Sequence, residues 1–419
     1  MITEVRFSDI APIYSDKIGI EIRTEENLSE NDLKLITKAE FDKKIKIETW
    51  SAIGTNQQQA YSTHGLFRYF GKFPPSIATY LISTYTKEGD LVIDPMSGSG
   101  STALECLFTK RRCIANDVNP LSVDIIKVKT THIEKKILLD EFVRMEEAYH
   151  PLTYEEYPFK PEDCNSEHWF LEKTCDSLRG IKKLIEEITD NDVKNFYNII
   201  FASVVRKVSK ATTQQGRLFL DVDTAVEETF PVFKKKAMKE IENVSQLPHK
   251  EKDSIMVMNC DLRNDLMNKY RNTAELVILH PPYFNSYKYS SINCLESGWM
   301  GIERAKIRPH EIREFFKVGK PEKYVEYVDD MECALNKALS FLKPNGMLAL
   351  MIGDTIIRGE YIPVTNTLIN RIDDDLYDVE KIVIRVPRYT EASWVTSQRR
   401  KTNDIGIVIN DFIVLFRKR

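Results

Sequence analysis

The sequence predicts an α/β fold: a doubly wound sheet interrupted by a mostly helical insertion. Three observations predict it. Short apolar runs alternate with helical spacing between residues 77 and 120, the helical pattern then dominates residues 135–248, and strand-like runs resume from residue 254. Apolar runs that alternate with helices are the signature of a parallel sheet covered on both faces.

Residues 1–60 read as a polar, irregular N-terminal extension with strand-like pieces at 18–24 (IGIEIRT) and 44–50 (KIKIETW). Helical spacing follows at 77–85 and 101–111, and short apolar strands at 89–95 (GDLVIDP) and 113–120 (CIANDVNP). Amphipathic stretches at 168–189, 191–209 and 232–246 mark the insertion, expected over 126–250. Strands are then expected at 254–260, 275–282, 346–354, 379–386 and 405–416. An amphipathic helix over 323–346 is expected to stop at Lys343-Pro344-Asn345-Gly346, a Pro- and Gly-containing terminator. The main domain is thus expected to combine 61–125 with 251–419.

A chain of 419 residues exceeds a minimal single domain, and its 42% hydrophobic content is ample for a core. No run of about 18 apolar residues is present, which excludes the usual transmembrane helix. The opening MITEVRFSDIAPIYSDK carries acids early and no apolar core of a leader, so a cytoplasmic protein is expected. The seven cysteines are scattered without a C-x-x-C pair, as expected of reduced thiols, and no metal site is expected. A net charge of −4 neither favours nor excludes nucleic acid, because a large protein can hold a polyanion in a local basic cleft.

LVIDPMSGSGST (91–102) places Asp94 and Pro95 at a strand end, then Gly98 and Gly100, then a helix. Glycines there let the backbone turn tightly and approach a ligand, while the helix start offers free N–H groups. A purely structural turn is the alternative. The dinucleotide fingerprint asks for a third glycine, and position 103 is Ala. The next strand ends at Asn116-Asp117-Val118-Asn119-Pro120. Asp117 is placed either to accept ribose hydroxyls or to sit solvated in a turn. Further on, ELVILHPPY (275–283) must leave the sheet at His280-Pro281-Pro282-Tyr283, since two prolines cannot continue a central strand. The exit falls at the carboxyl end, where open α/β sheets bind ligands. A rigid turn with Tyr283 packed in the core is the other reading.

Together these segments resemble the DNA amino-methyltransferase family. Asp94-Pro-Met-Ser-Gly-Ser-Gly-Ser-Thr102 resembles its D-P-F-x-G-S-G-T-T motif, Tyr69-Phe-Gly-Lys-Phe-Pro-Pro75 resembles the segment preceding that motif, and the HPPY tetrapeptide follows in the family's order. The similarity covers 64–125 and 254–416. It implies a Rossmann-like methyltransferase sheet with S-adenosylmethionine as cofactor. It places Asp94, Gly98 and Gly100 along the methionine part and Asp117 on the ribose, with Lys72 and Phe73 closing over the carboxylate. It brings Pro95, Met96, Ser101, Thr102 and Asn119 to the same site, and Asp261 near the adenine.

The resemblance also implies methyl transfer to an exocyclic amino group of a flipped base. Such a nitrogen is a weak nucleophile, because its lone pair is delocalised into the ring. Acceptors that fix its N–H bonds help to localise that pair, and positioning supplies much of the rest. The side chain at 280 and the Pro281 carbonyl suit this, Pro282 stiffens the turn, and Tyr283 offers a stacking face. The family usually carries Asp, Asn or Ser where this chain has His280. A neutral His still accepts, and at a near-neutral pKa it could also take the proton after transfer, so that activity would fall below about pH 6. The non-acidic residue, with Trp299-Met300-Gly301, leans toward N4 of cytosine over N6 of adenine.

By the same resemblance the insertion 126–250 is the candidate DNA-recognition region. Within it, Arg206, Lys210 and Arg217 stand in a basic stretch with Thr and Gln, suited to phosphates and base edges or to a solvated helix end. Arg388, Arg399 and Arg400, interleaved with Tyr389 and Trp394, form a second candidate DNA contact or a plain surface hairpin. Double-stranded DNA is the expected partner, with a cognate restriction endonuclease as a candidate second one. An RNA base methyltransferase and a catalytically inert DNA-binding relative are the rival readings.

Overall fold

The computed structural model describes residues 2–28, 30, 45–214, 217–284, 289–312, 322–357, 360–386 and 411–419. Its strands are β1 (Ile2–Arg6), β2 (Gly19–Thr24), β3 (Ile47–Ile53), β4 (Leu91–Asp94), β5 (Arg112–Asn116), β6 (Ala211–Gln214) and β7 (Arg217–Leu220). They continue with β8 (Ile255–Met258), β9 (Ala274–Leu279), β10 (Leu342–Gly353), β11 (Thr355–Ile357), β12 (Glu360–Ile362), β13 (Tyr377–Arg385) and β14 (Asp411–Lys418). Among the described residues ten of them form one sheet in the order β1-β2-β3-β13-β14-β10-β9-β4-β5-β8.

The sheet is doubly wound, as expected. From β4 the chain steps outward through β5 to β8, then returns to the other side of β4 with β9 and β10. β4 therefore pairs in parallel with both β5 and β9, and the order reverses between β4 and β9. A crevice opens at such a reversal, beyond the carboxyl ends of the two strands. β14 runs antiparallel between β10 and β13.

Alternate side chains feed two apolar layers, as a period of two requires. Ile93, Val277, Leu279 and Leu350 pack on one face, with Tyr327, Met331 and Leu335 from the helix Glu322–Ser340. Val92, Leu276, Ile278 and Ala349 face the other side, against the helices Pro75–Tyr85 and Ser101–Phe108. A third core holds together the helices Lys135–Ala148, Glu172–Glu186, Asn191–Val205 and Thr229–Ser245.

Four details depart from the sequence reading. The extension 1–60 is less irregular than expected: β1, β2 and β3 continue the main sheet, with β3 parallel to β13. The helical stretch contains a hairpin, β6 with β7. The helix expected over 323–346 ends at Ser340, because Leu342 already pairs with Ala274 and the Pro-Asn-Gly segment forms an irregularity inside β10. The described part of the last strand runs from Asp411 to Lys418, two residues past the expected end, and 405–410 lie outside the described residues. Among the described residues no helix is long and apolar enough to cross a membrane.

Candidate functional site

β4 and β9 end side by side, so Asp94 at the tip of one strand and His280 just past the other stand at the same crevice. A cleft of about 930 Å³, open to solvent, lies there between the glycine loop and the HPPY turn.

The glycine loop is shaped by its own hydrogen bonds. Ser97 Oγ donates to the Asp94 carbonyl at 2.7 Å, and Gly100 N to the Ser97 carbonyl at 2.8 Å. Gly98 and Gly100 have φ of +52° and +72°, the left-handed region that side chains disfavour. A Cβ on Gly98 would stand 3.1 Å from the Tyr69 ring, and one on Gly100 2.7 Å from Ile126. Asp117 clamps the loop across the crevice: its carboxylate accepts from Gly98 N and from Asn119 N, each at 2.8 Å. The buried Asn116 amide donates to the carbonyls of Pro95 (3.0 Å) and Cys260 (2.9 Å), tying the ends of β4, β5 and β8 together.

The electrostatics follow from burial. Burial raises Asp94 to about 7, with nearby Asp117 adding to the rise and Thr102, Ser97 and the Met96 amide opposing it. Burial likewise raises Asp117 to about 6 against the Asn119 and Gly98 amides. Asp261 goes the other way: burial would raise it, but the Arg263 guanidinium, donating to both its oxygens, holds it low. Burial pushes His280 down to about 4. This corrects the expectation of an ordinary imidazole, since His280 stays neutral well below pH 6.

Of the residues singled out in the sequence, Lys72, Phe73, Asp94, Pro95, Met96, Gly98, Asp117, Asn119, Asp261, His280 and Pro282 line the cleft. Gly100, Ser101 and Thr102 sit behind that wall, at the start of the helix Ser101–Phe108. Asn119 reaches the wall, yet its side-chain oxygen is spent capping the helix Pro120–Lys129 at Leu121 N, 3.1 Å away. Lys72 Nζ donates to the His64 carbonyl at 2.9 Å. Ser99 Oγ and Ser101 Oγ are buried without a hydrogen-bond partner in the described structure.

The HPPY turn is braced from behind. Tyr327 OH donates to the Pro282 carbonyl at 2.8 Å, and His280 sits edge-on between Phe73 (5.4 Å between ring centres) and Tyr283 (5.5 Å). Sequence reasoning missed Tyr69, Asn116, His310 and Glu311 on the cleft wall. Tyr69 lay inside the quoted YFGKFPP segment and Asn116 closed the second strand. His310 and Glu311 come from a distant segment with no local signature.

The expected DNA contacts fare differently. Arg206 is not laid out for phosphates: its guanidinium is inside the fold, 2.7 Å from Glu296 Oε1 and 2.5 Å from the Ile292 carbonyl, with the pair 10% and 6% exposed. Lys210 stands at the base of the β6–β7 hairpin, reaching the Glu167 carbonyl at 3.4 Å. Arg217 opens β7, with its backbone alone described. Arg388, Arg399 and Arg400 lie outside the described residues. Trp299 is fully buried against Phe159, Phe170 and Phe201, so it presents no surface to a base.

Comparison with known proteins places the chain among methyltransferases. A family model described as D12 class N6 adenine-specific DNA methyltransferase matches residues 75–299, and one described as DNA methylase matches 12–128. The chain is 25% identical over 337 residues to the Type II methyltransferase M.MvaI of Kocuria varians, covering 73% of this chain and 72% of that one. It is 25% identical over 285 residues to M.BsoBI of Geobacillus stearothermophilus, covering 60% and 55%. It is 31% identical over 107 residues to M.MjaII of Methanocaldococcus jannaschii, covering 25% and 20%.

Proposed function

The chain belongs to the DNA amino-methyltransferase family, and from that premise we propose how its own residues perform S-adenosylmethionine-dependent methylation of an exocyclic amino group in DNA. One observation carries the reading: the glycine loop and the HPPY turn meet at the carboxyl ends of adjacent strands, in one cleft.

The cleft suits the cofactor. Its left-handed glycines let the loop pack closely against Tyr69 and Ile126, where a Cβ would collide, and the Ser99 hydroxyl on the cleft wall has no hydrogen-bond partner in the described structure. In this proposal Asp117 accepts the ribose hydroxyls and Asp94 lies along the methionine part. Gly98, Pro95 and Met96 form the floor, Lys72 and Phe73 close over the carboxylate, and Asp261 marks the adenine end. When bound, S-adenosylmethionine supplies the sulfonium methyl that the amino nitrogen takes.

His280 then acts as an acceptor. A neutral imidazole with a bare nitrogen orients one amino N–H, and the Pro281 carbonyl orients the other. Its low pKa suits it to hold the nucleophile, and the proton that the methylated amino group loses leaves to solvent through the open cleft. Tyr283 stacks on the flipped base, and the Tyr327 bond to Pro282 keeps the turn from yielding. On the DNA side, the β6–β7 hairpin with Lys210 and Arg217, and the arginines 388, 399 and 400, contact the duplex. The hairpin packs near the segment that follows HPPY, which supports placing it beside the target base.

Incubation with labelled S-adenosylmethionine and duplex DNA, RNA or no acceptor tests the reading, and incorporation into RNA alone overturns it. Nucleoside mass spectrometry of the methylated DNA separates the two bases. The neutral acceptor at 280 leans toward N4-methylcytosine, whereas the matched family's description supports N6-methyladenine. A cognate endonuclease, part of the same proposal, is sought as a cleavage activity blocked on DNA that this protein has methylated.

A further inference from the structure

Away from the cleft, His132, Glu134 and His249 bring one potential ligand atom each to within 4.8 Å of one another. They stand where the chain leaves the main sheet and where it returns. His132 and Glu134 lie between the helices Pro120–Lys129 and Lys135–Ala148, and His249 lies between the helix Thr229–Ser245 and β8.

Hydrogen-bond logic singles this trio out. His132 Nδ1 is 2.8 Å from the Leu247 carbonyl oxygen. A carbonyl only accepts, so Nδ1 carries the hydrogen, and in the neutral ring Nε2 is a bare lone pair. That lone pair faces Glu134 Oε1 at 3.2 Å. Two acceptors so close repel unless a cation joins them, and either a proton or a metal ion will serve.

The surroundings favour the metal. The His249 ring lies over His132 with centroids 3.9 Å apart, which adds a third donor for a metal but only repulsion if both rings carry protons. Two ligands about 2.0–2.1 Å from a tetrahedral zinc stand about 3.3 Å apart, close to the His132–Glu134 separation. The ring N–H of a metal-bound histidine commonly goes to a backbone carbonyl, as the Leu247 contact provides. Glu134 precedes the helix Lys135–Ala148 but makes no side-chain cap bond to it, so its carboxylate is not needed there. The nearby Lys250 ammonium is turned to Thr131 Oγ1 at 3.0 Å.

We infer that His132, Glu134 and His249 form a site for a zinc-like divalent cation that clasps the two crossings between the sheet and the helical segment. His132 and its anchor Leu247 are 115 residues apart in sequence. Joining such distant points restricts the unfolded chain and holds the helices against the sheet.

The test uses untagged, chelator-stripped protein titrated with zinc chloride, read by calorimetric binding and by thermal unfolding. His249→Ala and Glu134→Gln are the variants, since both positions are exposed and circular dichroism can verify that the fold survives. The expected result is one tightly bound zinc per chain with a raised Tm, and affinity lower by at least about tenfold in each variant. Absence of zinc uptake, or uptake with undiminished affinity in His249→Ala, overturns the inference. The first outcome leaves a protonated His132–Glu134 ion pair, and the second places the metal elsewhere, for example at the exposed Cys333.

Discussion

The buried Lys129 ammonium donates to the Ser99 carbonyl at 2.8 Å, so the glycine loop is held from behind by a lysine that water does not reach. Burial keeps Lys129 well below the usual range for a lysine, and the Glu105 charge offsets part of that cost. Glu105, itself fully buried, accepts from Tyr61, Thr79 and His64, each at 2.6 Å, and from Tyr14. The network thus links the N-terminal segment, three helices and the loop.

Lys129→Met keeps the bulk and removes the bond. An intramolecular hydrogen bond contributes ~0.5–1.5 kcal/mol net, so cofactor affinity is expected to fall by up to about tenfold. The rate at saturating cofactor should change little. Calorimetric Kd alongside kcat separates the two effects.

Gly98→Val and Tyr283→Ala should fail in opposite ways. Any side chain at 98 strains a φ of +52° and meets the Tyr69 ring, so cofactor binding is lost. Loss of the Tyr283 face removes base stacking of ~1–3 kcal/mol and reduces methylation by about 5- to 150-fold, while cofactor affinity stays at the parent value. Unchanged cofactor binding by Gly98→Val would refute the assignment of the loop.

Cofactor affinity should rise with pH. Asp94 and Asp117 are raised to about 7 and about 6 in the free protein, so part of each is protonated near neutrality. A cationic sulfonium and ribose donors favour the charged carboxylates, and binding therefore releases protons. The raised pKa values stabilise the free fold below the unfolded carboxylate pKa of about 4, and that contribution is lost as pH climbs through about 6 and 7. Kd measured from about pH 5 to 8 should tighten over that window, with a buffer-dependent binding enthalpy that reports the proton. His280, at about 4, adds no loss near pH 6.

Arg206→Met should act on stability before DNA. Breaking a buried ion pair from one side leaves Glu296 uncompensated and costs about 3–5 kcal/mol, which thermal unfolding would register. DNA affinity of the folded fraction should keep the parent salt dependence. In contrast, Arg399→Ala is expected to reduce the slope of log K against log salt by about 1.

The sheet and its chemical poles were legible because each left a local mark. Apolar runs named the strands, and Asp94, Gly98 and His280-Pro281-Pro282 sit at strand ends where polar residues interrupt those runs. What stayed hidden depends on distance. Glu105 reads as one polar residue on a helix until Tyr14, Tyr61, His64 and Thr79 converge on it. The basic run at 206–217 read as a DNA contact or a solvated helix end, but Arg206 meets a carboxylate 90 residues later, beyond any local pattern. The helix end at Ser340 was decided by pairing of Leu342 with Ala274, which overrode the later Pro-Asn-Gly signal.

The N-terminal strands have a bearing on synthesis. β3 lies against β13, and Ser51 Oγ donates to the Val386 carbonyl across a separation of 335 residues. β1, β2 and β3 can pair among themselves as soon as they leave the ribosome, but the outer side of β3 stays open until β13 has been made. An open strand edge invites pairing with other nascent chains. A strand made early thus waits for one made much later, and the yield of folded protein should depend on how well that edge is shielded during translation.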